Sequence, residues 1–230
     1  MYFDPLYYVF ALPPLLFGIW AQWKVKSTFS KYSGVANTTG FTGAQIARRL
    51  LDSQGLYSIS IESVPGELTD HYDPRGKVIR LSEATMDRRS VAAIGVVAHE
   101  VGHAIQDAES YAPMRTRAAI LPVASIGSIL GPYIFMIGLF INFFGLALLG
   151  LFLFGAAAIF QAVTLPVEYN ASNRAMRLLV DNGLVTSDDA DMARQVLNAA
   201  ALTYVAALLQ SVAQVLYYAM LLSGNRRRDD

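Results

Sequence analysis

The fifty residues from Ala118 to Val167 read AAILPVASIGSILGPYIFMIGLFINFFGLALLGLFLFGAAAIFQAVTLPV and contain no acid, no base and no histidine. As one α-helix they would extend about 75 Å, against a hydrocarbon core of about 30 Å. A single crossing cannot use that length. The stretch therefore predicts a hairpin of two transmembrane helices over 118–165. Its break is expected around Gly138 to Phe143, where Asn142 is the polar residue. Gly131-Pro132 is expected to kink the first helix, because proline removes a backbone hydrogen bond.

Two further runs flank this hairpin at a distance. Residues 5–23 are apolar and end in Trp20, Trp23, Lys24 and Lys26, the aromatic-then-basic edge of a membrane interface. No basic residue precedes the run, whereas a signal peptide carries its positive charge there, so a retained anchor is expected. Residues 199–222 form the fourth run. Its Gln210, Ser211 and Gln214 fall on one helical face, which is expected to pack on other helices. Composition agrees with this membrane content: of 230 residues, 54% are hydrophobic and only 16% charged. A soluble domain carries about a quarter charged residues. Eighteen basic and eighteen acidic side chains give a formal net charge of zero, which argues against a nucleic-acid partner. Absence of cysteine excludes disulfides, a thiol nucleophile and thiolate metal ligands.

With four spans, residues 24–117 and 166–197 share one side and hold fifteen of the eighteen basic residues. The positive-inside rule predicts that this side is cytoplasmic, and with the apolar spans the chain is expected to be an integral protein of the cell (inner) membrane. The charged tail 223–230, with Arg226, Arg227 and Arg228, objects, because four spans place it outside; the conflict vanishes if the last run does not cross.

Residues 24–117 read as a small α+β unit. Thr42 is an expected N-cap for a helix to about Gln54, with Ile46, Leu50 and Leu51 on one face and Gly55 as its stop. Ile59 to Val64 alternates apolar and polar residues and predicts a strand. Asp73-Pro74-Arg75-Gly76 is turn chemistry between extended pieces at Asp70–Tyr72 and Lys77–Leu81. Ser90 then caps a helix whose Val91, Ile94, Val97, Ala98, Val101 and Ile105 predict burial.

That helix carries His99-Glu100-Val101-Gly102-His103. Histidines four apart project from one helical face and can bind one zinc ion. Glu100, beside the first of them, can take a proton from a water at the metal. Gly102 leaves room for another backbone to approach. A catalytic zinc needs a third protein ligand and an open position. The candidates are His71 and a carboxylate. Among carboxylates Glu168 stands out, since it follows Pro166 directly after the hairpin and is expected to open a helix. On spacing alone the competing reading is an ordinary first-turn glutamate facing the helix dipole. His71 reads as a surface histidine, a substrate or transition-state contact, or a zinc ligand. Asp107, one turn past His103, can orient that ring or cap a local turn. Tyr204, at the start of the last apolar run, can polarise a scissile carbonyl or simply pack at the interface.

HEVGH followed by AIQD (Ala104–Asp107), an apolar hairpin and then PVEYNAS (Pro166–Ser172) resembles the YugP-type membrane zinc metallopeptidases. It is more distantly similar to the HtpX and prenyl-protein-protease type of gluzincin. The resemblance extends to LTDHYDPRGKVIRLSE (Leu68–Glu83) and AALTYVAALLQ (Ala200–Gln210). It implies a zinc peptidase with His99, His103 and Glu168 as ligands and Glu100 as general base. In the distant relatives an aspartate four residues past the ligand glutamate often orients a zinc histidine; Ser172 stands there in this chain, a weaker acceptor.

The expected fold is α+β and mostly α, a zincin-like metallopeptidase domain fused to about four transmembrane helices. The expected activity is zinc-dependent hydrolysis of peptide bonds near the cytoplasmic membrane surface, on a protein or peptide substrate, with the lipid bilayer as the other partner. The alternatives are a zinc-binding membrane scaffold without proteolysis and a zinc hydrolase of a non-peptide substrate.

Overall fold

Capping and turn chemistry organise the folded elements as local rules dictate. The computed structural model describes residues 5–229, with side chains through residue 224. Helix α2 (Gly43–Ser53) begins at Thr42, whose hydroxyl accepts from Gln45 N while Gln45 Oε1 accepts from Thr42 N, a reciprocal capping box. Its face of Ile46, Ala47, Leu50 and Leu51 is buried, and Gly55 follows in the left-handed region at φ +71°. Strands β1 (Ser60–Val64), β2 (His71–Asp73) and β3 (Val78–Ser82) form one sheet in the order β1-β3-β2. β1 runs parallel to β3, while β2 pairs antiparallel with His71 opposite Arg80. Asp73 Oδ1 accepts from the backbone N–H groups of Arg75 and Gly76, which closes the turn between β2 and β3. Central position explains the burial of Val78, Ile79 and Leu81 on β3.

After the short α3 (Glu83–Met86) comes α4 (Val91–Ala108), capped by Ser90 Oγ on Ala93 N at 3.2 Å. The helix is buried on nearly every side, so it lies at the centre of its unit rather than on its surface. Three longer helices and α1 complete the chain: α1 (Pro5–Ser33), α5 (Ala112–Phe140), α6 (Phe144–Asp181) and α7 (Ser187–Asp229). These four are long and apolar enough to cross a membrane. The fold class is thus α+β and mostly α, as expected.

The chain divides into two compact units. One comprises residues up to Ala21, Pro113–Pro166 and those from Thr203 onward; the other comprises Gln22–Ala112 and Val167–Leu202. Within the first, the hairpin turns between Phe140 and Phe144, with Asn142 at φ +55°. Its two arms touch through glycine: a Cβ on Gly127 would stand 2.0 Å from the Leu153 carbonyl oxygen. Small residues permit such backbone approach where apolar burial gives no drive between helices. Phe135 stacks on Tyr218 with ring centroids 4.2 Å apart. Within the second unit, Phe29 and Tyr32 of α1 pack with Ala92 of α4 and Val196 of α7. Tyr32 also donates to Gln195 Oε1 at 2.7 Å. Buried Asp189 accepts from the Thr38 backbone N–H at 3.0 Å and ties the loop after α1 to α7.

The helices outrun the apolar segments that predict them. α1 continues past Trp23 to Ser33, because Lys24 to Ser33 contains no glycine or proline and the helix ends only before Gly34. α7 runs through residue 198 without a break. Likewise α6 passes through Pro166, so Glu168 lies in a helix interior and does not open a helix. One missing backbone bond does not end a helix whose next residues, Val167 and Glu168, are buried in packing. The side chains of Arg226, Arg227 and Arg228 lie outside the described residues.

Candidate metal centre

Helical geometry places His99 and His103 one turn apart on α4, with their rings edge to face and centroids 4.7 Å apart. Across from them stands Glu168 on α6, 2% exposed. The approach of α6 depends on Gly102, where a Cβ would lie 2.6 Å from the Ala171 carbonyl oxygen. Three donor atoms converge. His99 Nε2 is 3.2 Å from Glu168 Oε2, His103 Nε2 is 3.4 Å from the same oxygen, and the two Nε2 atoms are 3.1 Å apart. Among the described residues this is the group of histidine and carboxylate side chains able to share an ion.

The donor set can be tested against zinc by length alone. Ligands bound tetrahedrally at about 2.0–2.1 Å stand about 3.3 Å from one another. The three observed separations bracket that value. Two imidazoles and one carboxylate also match the donor type of a catalytic zinc site.

Electrostatics follow from the same proximity. Burial penalises a charged His103 ring, but the hydrogen bond that the ring donates to Glu168 and the charges of Glu100 and Glu168 outweigh it, so its pKa lies above the ordinary histidine value. Burial likewise opposes ionisation of Glu168, yet the bonds and charges of His103 and His99 hold its carboxyl well below the usual range. Glu100 is buried beside these groups, and its Oε2 accepts from the backbone N–H of Tyr72 at 2.9 Å. That donor lies on β2, an edge strand of the sheet.

Around this centre the candidates sort themselves. Ser172 Oγ sits 3.1 Å from His99 Nδ1, at the position the resemblance singles out. Asp107 does not reach His103. It accepts from the Tyr72 hydroxyl at 2.6 Å and from Lys77, because it projects toward the sheet rather than toward α6. His103 Nδ1 meets Gln106 Oε1 instead, at 2.9 Å. Gln106 is fully buried, and its amide nitrogen donates to Val167 O and Asn170 Oδ1, each at 2.9 Å. Arg174 then donates to Asn170 Oδ1 at 2.7 Å and pairs with Glu109 at 2.8 Å. The sequence offered one sign of Gln106, a polar side chain three residues past a histidine on an apolar helix; i+3 and i+4 neighbours are both within reach of a ring. His71 stands apart from the donor group, exposed on β2, with Nδ1 donating to Thr69 O at 2.8 Å. Tyr204 lies on the part of α7 that belongs to the other unit.

Comparison with known proteins agrees with the zinc-suited donor set. Residues 7–223 match the family described as "Putative neutral zinc metallopeptidase". A curated relative, the "Putative membrane protease YugP" of Bacillus subtilis (strain 168), is 46% identical over 221 residues, covering 96% of this chain and 98% of its own. No solved structure matches the chain. With a match over almost its whole length, this chain belongs to that family, the one described as "Putative neutral zinc metallopeptidase".

Proposed function

We propose that the chain is a membrane-embedded zinc metalloendopeptidase of gluzincin type, which hydrolyses peptide bonds near the cytoplasmic membrane surface. His99, His103 and Glu168 would hold one zinc ion, and Glu100 is the general base. The observation that carries the reading is the set of three donor separations, 3.1, 3.2 and 3.4 Å, at the spacing zinc demands. Bound there, zinc supplies a Lewis acid that polarises the scissile carbonyl and raises the acidity of the attacking water.

The protein's own groups do the rest. Glu100 lies next to His99 on the helix and keeps one oxygen on the Tyr72 backbone N–H, which fixes the carboxylate plane. Its other oxygen is available to take the water proton and deliver it to the leaving amine. Burial of Glu100 and Glu168 strengthens each of these interactions over its value in water. Location near the bilayer is supported by chain position, since Glu168 comes three residues after the apolar hairpin 118–165. The cytoplasmic side is supported by the fifteen-to-three distribution of basic residues.

Glu100→Gln tests the reading. It removes the basic oxygen and keeps the shape, so zinc content and melting should persist. Cleavage of an unfolded protein or a peptide library should fall by about 10²–10⁴-fold. A wild-type protein that holds zinc and cleaves nothing would favour a non-proteolytic membrane scaffold, and one that cleaves only a non-peptide bond would favour a different hydrolase.

A further inference from the structure

The chain of side chains behind His103 determines where its protons lie. Arg174 can only donate hydrogen bonds, so the Asn170 atom 2.7 Å from its Nε is the carbonyl oxygen. The Gln106 atom facing that oxygen must be the amide nitrogen. The same nitrogen faces Val167 O, a second group that can only accept. Both amide hydrogens of Gln106 are thereby committed, and its Oε1 is left to face His103 Nδ1 at 2.9 Å. An amide oxygen cannot donate, so the hydrogen lies on Nδ1, and the lone pair of the neutral ring is on Nε2, facing His99 and Glu168.

We infer that Gln106 is a positioning residue that locks His103 in the Nδ1–H tautomer, its own orientation being fixed by Asn170, Arg174 and the Val167 carbonyl. Gln106 bonds both to His103 on α4 and to the backbone beside Glu168 on α6. It therefore holds two donor-bearing segments in register while it orients one of the rings. His99 has no such lock, because the Ser172 hydroxyl at 3.1 Å can donate or accept. The pair is asymmetric: one ring is set in advance, and the other adapts its tautomer to what binds. The consequence for metal binding rests on His103 being a ligand, whereas the tautomer itself does not.

The test is 15N-histidine NMR of the metal-free full-length protein in detergent near pH ~9, where imidazoles are neutral. Only three histidines contribute, and H71Q and H103Q identify them by difference. Wild type should show His103 protonated on Nδ1 alone. Gln106→Leu should move His103 toward the Nε2–H form that free imidazole prefers, and chelator competition should show zinc binding weakened by about 10–100-fold. Should Q106L fail to fold, Asn170→Leu releases one amide hydrogen and should shift the tautomer the same way to a smaller extent. An Nε2–H signal for His103 in wild type, or unchanged spectra and zinc affinity in the folded Gln106→Leu or Asn170→Leu variant, overturns the inference. A wild-type protein with Nδ1–H that binds no zinc supports the lock and removes the metal reading alone.

Discussion

Replacing Gly102 with alanine probes the backbone contact at which the two donor-bearing helices approach each other. The added Cβ would lie 2.6 Å from the Ala171 carbonyl oxygen, while ordinary contact begins near 3.4 Å. Helix α6 must retreat by about 0.8 Å at that point, and the obstacle is backbone, which cannot rotate away. The two separations from Glu168 to the histidines, 3.2 and 3.4 Å, would widen toward about 4 Å. A tetrahedral ion spanning such edges needs bonds of about 2.5 Å, roughly 0.4 Å beyond what zinc accepts. Rotamer changes absorb part of this, so zinc affinity should fall at least tenfold, or about 1.4 kcal/mol. Stability of the metal-free fold should fall by up to about 2 kcal/mol. Overpacking costs roughly 1–3 kcal/mol, and replacing glycine by alanine in a helix interior returns about 1 kcal/mol. The assay is chelator competition for zinc beside thermal melting with and without metal. Wild-type zinc affinity in a folded Gly102→Ala protein would refute the claim that the Gly102–Ala171 contact sets the site.

Other outcomes follow from the same geometry. Glu168→Ala should abolish stoichiometric zinc binding by elemental analysis, while His71→Ala, altering an exposed ring held by Thr69 O, should leave it intact; the reverse pattern moves the third ligand to His71. His103 has a raised pKa, so protons compete for its ring from above the ordinary value of about 6.5, and zinc affinity measured by competition should weaken as pH falls from 8 to 6. In the metal-free protein the sign is opposite: the protonated ring's contribution to stability is complete below about 6.5 and is lost as pH rises through the folded-state pKa, so melting should report less stability at alkaline pH. A cysteine at position 76 should react with impermeant reagents only from the cytoplasmic side, and one at position 142 only from outside; the inverse would overturn the orientation.

Much of the architecture was legible because its causes are local. An uncharged run too long for one crossing specifies a hairpin wherever it occurs, and a left-handed Asn142 marks its turn. Thr42 with Gln45, Ser90, Gly55 and the Asp73 turn are short-range devices, and each acts where the sequence places it. Two histidines at i and i+4 on a helix share a face by helical geometry, so two of the three donors were brought together by local geometry alone. Helix lengths were not legible. The end of an apolar run marks a change of surroundings, whereas a helix ends at a breaker or a cap, as α1 does before Gly34.

What only the tertiary structure decided lies across the gap between α4 and α6. Sequence left Glu168 divided between a helix-opening glutamate and a ligand, because a separation of 65 residues from His103 says nothing about distance. Close approach at Gly102 brings its carboxylate to 3.4 Å from His103 Nε2 and places it in a helix interior, where a first-turn role has no meaning. Asp107, at i+4, was the partner the sequence nominated for His103, while Gln106, at i+3 and equally within reach, was not singled out. The choice fell to their other partners: Tyr72 and Lys77 draw Asp107 to the sheet, and Val167 and Asn170 hold Gln106 against α6. Periodicity along one helix can nominate neighbours, but a hydrogen bond has two ends, and the second end here belongs to segments that meet only when the chain folds.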